Sequence, residues 1–207
     1  MKTLPEVKVG VLNFQGAVSE HVEALSKTLK ELNLKGQVLT VKTPEQLEEV
    51  KGLVVPGGES TTIGKLSAKE LAPRIVERAA GGMPILGTCA GLILMAKEVY
   101  DAKVGSVEQP LLRLMDMRAI RNFFGRQGES FEAPLTVPLL GREPFPGVFI
   151  RAPVVEKVWG EAEAFATYNG KVVAVQQGRL LATAFHPELT EDLRLHKYFI
   201  KLVLDTL

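Results

Sequence analysis

The sequence has one cysteine, Cys89, one tryptophan, and three histidines (His21, His186 and His196) among 207 residues. A single cysteine excludes an internal disulfide and fits a reducing compartment. One cysteine and three scattered histidines offer no metal-ligand spacing, so no metal site and no bound cofactor are expected. Lys and Arg number 25 against 24 Asp and Glu, a net charge of +1, and aromatics make up 6%. No basic stripe interleaved with aromatics is present, which argues against a nucleic-acid partner. No apolar run approaches the length needed to cross a membrane. The first residues also lack the charged, apolar and small-residue succession of a secretory signal. A cytoplasmic protein is therefore expected. Hydrophobic residues make up 46% of the chain, enough at this length for one α/β domain with a sizeable core. No repeat or linker divides residues 1–207.

Short apolar strands alternate with helical patterns in the first half. Strands are expected over residues 7–14, 37–41, 53–55 and 83–86, and helices over 18–32, 44–49, 69–80 and 90–100. This alternation implies a parallel, doubly wound sheet. The second half reads as strands over 111–120, 131–138, 148–151 and 180–185. A hairpin at 164–168 and 172–176 turns on Asn169-Gly170, a strong tight-turn signal. Residues 101–110 read as a loop. A final helix opens at Thr190-Glu191-Asp192, and its stripe of Leu193, Leu195, Phe199, Ile200, Val203 and Leu204 reads as core packing.

The cysteine stands in Gly87-Thr88-Cys89-Ala90-Gly91, between a buried strand and an apolar helix. A lone cysteine is usually a small buried hydrophobe. A Gly-x-nucleophile-x-Gly turn between strand and helix, however, is the pattern of a nucleophile elbow. It holds the side chain out at the carboxyl end of the sheet, over a helix N-terminus that favours an anion. About a hundred residues on, the strand over 180–185 runs into His186-Pro187-Glu188. A thiol nucleophile needs a base, and the base needs a third group to fix its tautomer. In extended chain Glu188 projects to the same side as His186. Pro56-Gly57-Gly58-Glu59-Ser60 also follows a strand. Backbone N–H groups of Gly57, Gly58 and Ala90 can stabilise an oxyanion there.

These residues resemble the triad-type (class I) glutamine amidotransferases. Within them, several motifs are similar to the glutaminase subunits of pyridoxal 5′-phosphate synthase: Leu12-Asn13-Phe14-Gln15-Gly16-Ala17 with Glu20-His21, the run from Pro56 to Thr62, Arg121-Asn122 with Phe124-Gly125-Arg126-Gln127, Ser130-Phe131-Glu132, Phe149-Ile150-Arg151-Ala152-Pro153, and the run from Phe185 to Asp192. They span nearly the whole chain in the family's order. The resemblance implies a flavodoxin-like α/β fold, with a central, mostly parallel sheet flanked by helices and an antiparallel part in the C-terminal half. It makes Cys89 the nucleophile, His186 the base and Glu188 the orienting acid. It assigns glutamine binding to Gly58, Glu59, Ser60, Arg121, Ile150 and Arg151. It also implies a synthase subunit that takes up the ammonia, with Gln15, Gly16, Glu20 and His21 as candidates for the contact. From its place in the helical pattern alone, His21 reads as an inert surface residue. Two other classes stay open. One is a glutaminase subunit for another pathway, such as histidine biosynthesis. The other is a non-glutaminase hydrolase or stress protein with an elbow cysteine.

Overall fold

The computed structural model describes residues 6–124 and 130–207. The short lead before the first strand and Gly125-Arg126-Gln127 of one family motif lie outside the described residues, save Glu6 of the lead.

In chain order the elements are β1 (Val7–Leu12), α1 (Val18–Glu31), β2 (Gly36–Val41), α2 (Pro44–Glu48), β3 (Gly52–Val55), α3 (Ser60–Ser67), α4 (Leu71–Ala80), β4 (Ile85–Thr88) and α5 (Ala90–Met95). Then follow β5 (Ala96–Asp101), β6 (Gly105–Ser106), β7 (Met115–Arg121), β8 (Ser130–Leu135), β9 (Phe145–Ile150), β10 (Val154–Val158), β11 (Glu163–Tyr168), β12 (Lys171–Gln177), β13 (Leu180–Thr183) and α6 (Arg194–Leu204). One sheet has the order β2-β1-β3-β4-β13-β12-β10-β7-β5-β6, with β11 paired to β12. Its first five strands are all parallel. They follow the 2-1-3-4-5 order of doubly wound, flavodoxin-like sheets. From β13 onward the pairings turn antiparallel except β5 with β7, and β8 and β9 form a separate ribbon. The expected architecture, parallel first and antiparallel late, is the observed one.

Local chemistry explains the elements. Val9, Val11, Leu53, Val54, Val55, Ile85 and Leu86 are fully buried, so the central strands are apolar on both faces, as helix-covered parallel strands must be. α2 starts on a capping box in which Thr43 and Gln46 satisfy each other's backbone N–H, with Pro44 at the first helical position. Asn169 and Gly170 both have positive φ, 48° and 73°, as the tight β11–β12 turn requires.

Several boundaries differ from expectation. The helix expected over 90–100 stops at Met95, and Ala96–Asp101 is strand β5. All six α5 residues are buried. Past them the pattern changes to Val99 in, Glu98 and Tyr100 out, and parallel pairing with β7 fixes the extended form. Helix α3 and strand β10 were not expected. Glu59 nucleates α3 by accepting from Thr61 N–H and Thr62 N–H. The strand expected over 111–120 narrows to β7, that at 148–151 extends back to Phe145, and the last helix begins only at Arg194. The loop at 101–110 contains the short strand β6. His186-Pro187-Glu188 is not extended, because Pro187–Leu189 forms a 3₁₀ turn.

Phe149 holds the β8–β9 ribbon to the sheet. It is fully buried and stacks on Phe131 at 4.8 Å, with Tyr168 at 5.5 Å, Phe124 at 5.6 Å and Phe185 at 5.9 Å. Phe185 immediately precedes His186, and Phe149 immediately precedes Ile150. Phe149→Ala is expected to cost about 3–5 kcal/mol, as cavity formation at a large aromatic does. Urea unfolding measures this directly.

Candidate active site

Four neighbouring parallel strands end at one edge of the sheet, and each delivers one piece of the site. β1 leads to Gln15-Gly16, β3 to Gly57-Gly58-Glu59, β4 to Cys89, and β13 to His186. Open α/β sheets bind ligands at this carboxyl edge.

The elbow is as tight as its glycines suggest. Cys89 has φ 50° and ψ −99°, a strained conformation for a non-glycine residue. A Cβ on Gly91 would collide with the Val55 carbonyl, and one on Gly87 with Met95 Sδ. Cys89 N–H donates to Thr183 O at 2.8 Å, which ties the nucleophile to the neighbouring strand. The residue is 8% exposed, and its Sγ lies 3.9 Å from the Ile150 carbonyl oxygen.

His186 sits between two partners. Its Nδ1 is 2.7 Å from Glu188 Oε1, and the ring and Cys89 both pack against Gly57 on the other side. Its backbone N–H donates to Val148 O at 2.8 Å, anchoring the turn on β9. The 3₁₀ turn brings the Glu188 carboxylate back under the imidazole as effectively as extended chain would have done. Burial opposes the imidazolium, but hydrogen bonds and charge from Cys89 and Glu188 outweigh it and raise the His186 pKa to about 10. Burial likewise opposes ionisation of Glu188. His21 and His186 outweigh it and hold the carboxyl below its usual range.

A cleft beside Cys89 is lined by Gly58, Glu59, Ser60, Ala90, Arg121, Ile150 and Arg151, every expected glutamine-binding residue, and also by Ile93, Asn122 and Pro153. Gly57 is not on its wall. It packs behind, where a Cβ would strike His186 Cε1, and its carbonyl accepts from Ala17 N–H. Of the three expected oxyanion positions, Gly58 and Ala90 therefore border the cleft. Gln15 Oε1 accepts from Glu59 N–H at 2.7 Å. Gln15, Gly16 and Glu20 are exposed, whereas His21 is fully buried and offers a partner no surface. Its Nε2 meets Glu188 and Thr88 inside the fold.

Arg121 is held rather than solvated. Its Nε lies 3.2 Å from Asp101 Oδ2, and it donates to Gln109 Oε1 at 2.8 Å and to Thr61 Oγ1 at 3.2 Å. Asp101 in turn accepts from Asn122 Nδ2 and from the N–H groups of Lys103 and Val104. Burial opposes its ionisation, and these donors overcome it to keep the carboxylate charged. Arg151 is exposed at the rim with φ 44°. Asp101, Gln109 and Thr61 were not expected at the site. Among the described residues no group of three or more His, Cys, Asp or Glu could hold a metal ion, and no helix is long and apolar enough to cross a membrane.

The profile of the SNO glutamine amidotransferase family matches residues 11–205. The chain belongs to this family. Curated relatives of the chain include proteins described as pyridoxal 5′-phosphate synthase subunit PdxT. That of Moorella thermoacetica is 50% identical over 198 residues, covering 95% of this chain and 100% of the relative. That of Saccharolobus solfataricus is 46% identical over 199 residues, covering 95% and 99%. A crystal structure of a glutamine amidotransferase superposes with a TM-score of 0.82 at 47% identity, covering 94% of this chain and 98% of that one. The elbow, the His-Pro-Glu turn and the glycine loop thus sit in the fold of this family.

The raised His186 pKa has a consequence for stability. A pKa above the unfolded value of about 6.5 means that the folded state binds the proton more tightly. The resulting stabilisation is complete below about 6.5 and is lost as pH rises through about 10. The difference in melting temperature between wild type and His186→Gln is expected to be largest below neutrality and to shrink toward pH 10.

Proposed function

We propose that the chain acts, as one domain, as the glutaminase subunit of a pyridoxal 5′-phosphate synthase. It hydrolyses L-glutamine to glutamate and ammonia. The observation that carries the reading is His186, hydrogen-bonded to a buried Glu188 and set behind Cys89, which lines a cleft with a fixed guanidinium.

Cys89 Sγ attacks the carbonyl carbon of the glutamine side-chain amide. The tetrahedral oxyanion takes hydrogen bonds from the N–H groups of Gly58 and Ala90. His186 gives its proton to the departing nitrogen, the C–N bond breaks, and ammonia leaves a glutamyl thioester. Water then gives a proton to His186 and attacks the thioester, releasing glutamate and restoring the Cys89–His186 pair. Glu188 holds the imidazole tautomer throughout. Arg121, Arg151, Glu59, Ser60 and the Ile150 carbonyl offer a cationic side and an oxygen-rich side. These suit the α-carboxylate and α-ammonium of free glutamine.

The chain's own residues need no bound cofactor for these steps. Ammonia passes to a synthase subunit that docks across the exposed Gln15, Gly16 and Glu20. Because Gln15 also holds the Glu59 N–H, docking there reaches the loop that contributes Gly58.

Glutamate release from glutamine is expected to rise when the synthase subunit is added and to fall by about 10⁴-fold or more in Cys89→Ala, which removes the attacking atom. Equal turnover with and without the synthase would point to another partner. No turnover in any mixture would overturn the assignment. Asp101→Asn frees Arg121 without touching the triad. It is expected to raise KM for glutamine by about tenfold and leave kcat nearly unchanged, the signature of lost uniform binding.

A further inference from the structure

α1 passes directly behind the triad, and its His21 is fully buried there. His21 Nε2 lies 3.3 Å from Glu188 Oε2 and 3.0 Å from Thr88 Oγ1. The two oxygens of Glu188 are thus divided, Oε1 on His186 and Oε2 facing His21. Among the described residues no donor makes a hydrogen bond to Oε2, and His21 Nε2 is the polar atom set against it. An ionised oxygen at that distance repels a ring-nitrogen lone pair, so a neutral His21 carries its proton on Nε2. That N–H donates to Thr88 Oγ1, on the residue preceding the nucleophile, while Nε2 stays 3.3 Å from the acid of the triad.

Burial is the largest influence on His21 and holds it below its ordinary pKa, against the pull of Glu188. His196 of α6 meets it edge-on at 5.8 Å, and burial pushes His196 down to about 3. Burial thus disfavours charge on both rings behind the carboxylate. The other charged groups facing this cluster are Glu20 on α1, the Cys89–His186 pair on the cleft side, and Lys27 outside, which is tied to Glu23 and Glu191.

We propose that His21 is a positioning residue for the hydrolysis: its Nε2–H, bonded to Thr88 Oγ1 beside the nucleophile, sets a positive pole 3.3 Å from the second oxygen of Glu188 and so keeps the first aimed at His186 Nδ1. The proposal rests on the glutaminase reading above. Without that N–H a buried carboxylate oxygen loses the one positive pole set against it. Glu188 then takes up a proton at higher pH, and a protonated acid no longer holds the imidazole tautomer.

The test compares His21→Gln, which returns an N–H near the Nε2 position, with His21→Met and His21→Asn, which do not. Turnover is measured with the synthase subunit present, across pH. The low-field proton resonance of His186 Nδ1–H is followed by NMR in the same variants, and with three histidines in the chain it is readily assigned. Met and Asn are expected to lower kcat by about ten- to a hundredfold, with KM for glutamine unmoved. They also shift the acid limb of the kcat profile to higher pH and move or abolish the low-field resonance. Gln restores both. Asn serves if Met does not fold. Folded Met or Asn variants with wild-type kcat, acid limb and resonance would overturn the proposal. So would a Gln variant as impaired as the others with its resonance unmoved. A wild type that never turns over glutamine, yet loses the resonance in His21→Met, would sink the glutaminase reading while keeping the role of His21 toward Glu188.

Discussion

The hydrogen bond from Cys89 N–H to Thr183 O is the contact on which the site hangs. β4 and β13 run parallel with Thr88 opposite Thr183, so this bond carries their ladder one residue past the end of β4. It fixes the nucleophile against β13. Three residues beyond Thr183 the chain reaches His186, which in turn is pinned to β9 through Val148 O. That second bond brings the Ile150 carbonyl toward Sγ. One ladder extension thus sets the nucleophile, the base and one wall of the cleft relative to each other.

This arrangement carries costs. Cys89 is held at positive φ, and an ionised carboxylate is buried at Glu188. Strain of this kind persists only where surrounding packing over-determines the geometry. Here the carbonyl of Val55 leaves no room for a side chain on Gly91, and the face of His186 leaves none on Gly57. The elbow and the glycine loop are therefore wedged against each other. The carboxylate is tolerated because His186 and His21 face its two oxygens from opposite sides.

The parallel half of the fold was legible in the sequence because each of its strands is a short apolar run bounded by turn chemistry. The elbow and the His-Pro-Glu turn were legible because their members are neighbours in the chain. Misreadings arose where distant pairing overrides local pattern. Lys97-Glu98-Val99 continues a helical run by composition, yet β7, more than fifteen residues on, takes it as a strand. His21 reads as a surface residue from its own helix. The fold then places it against Thr88 and Glu188, 67 and 167 positions away. Asp101 reads as the start of a loop, and only the β5–β7 register sets it beside Arg121. In each case the partner is fixed by tertiary contact, which periodicity does not record.

Strand direction also polarises the molecule. At the end opposite Cys89, the segments that lead into β3, β4 and β13 meet the end of the chain in an open depression lined by Lys51, Gly82, Arg179 and Thr206. No residue of the His186–Glu188 pair or of the cleft beside Cys89 lines it, because the parallel strands carry those residues to the other edge. That end is the natural place for a handle. A fluorophore or surface tether attached near Thr206 would leave the cleft beside Cys89 and the exposed Gln15 face open on immobilised protein.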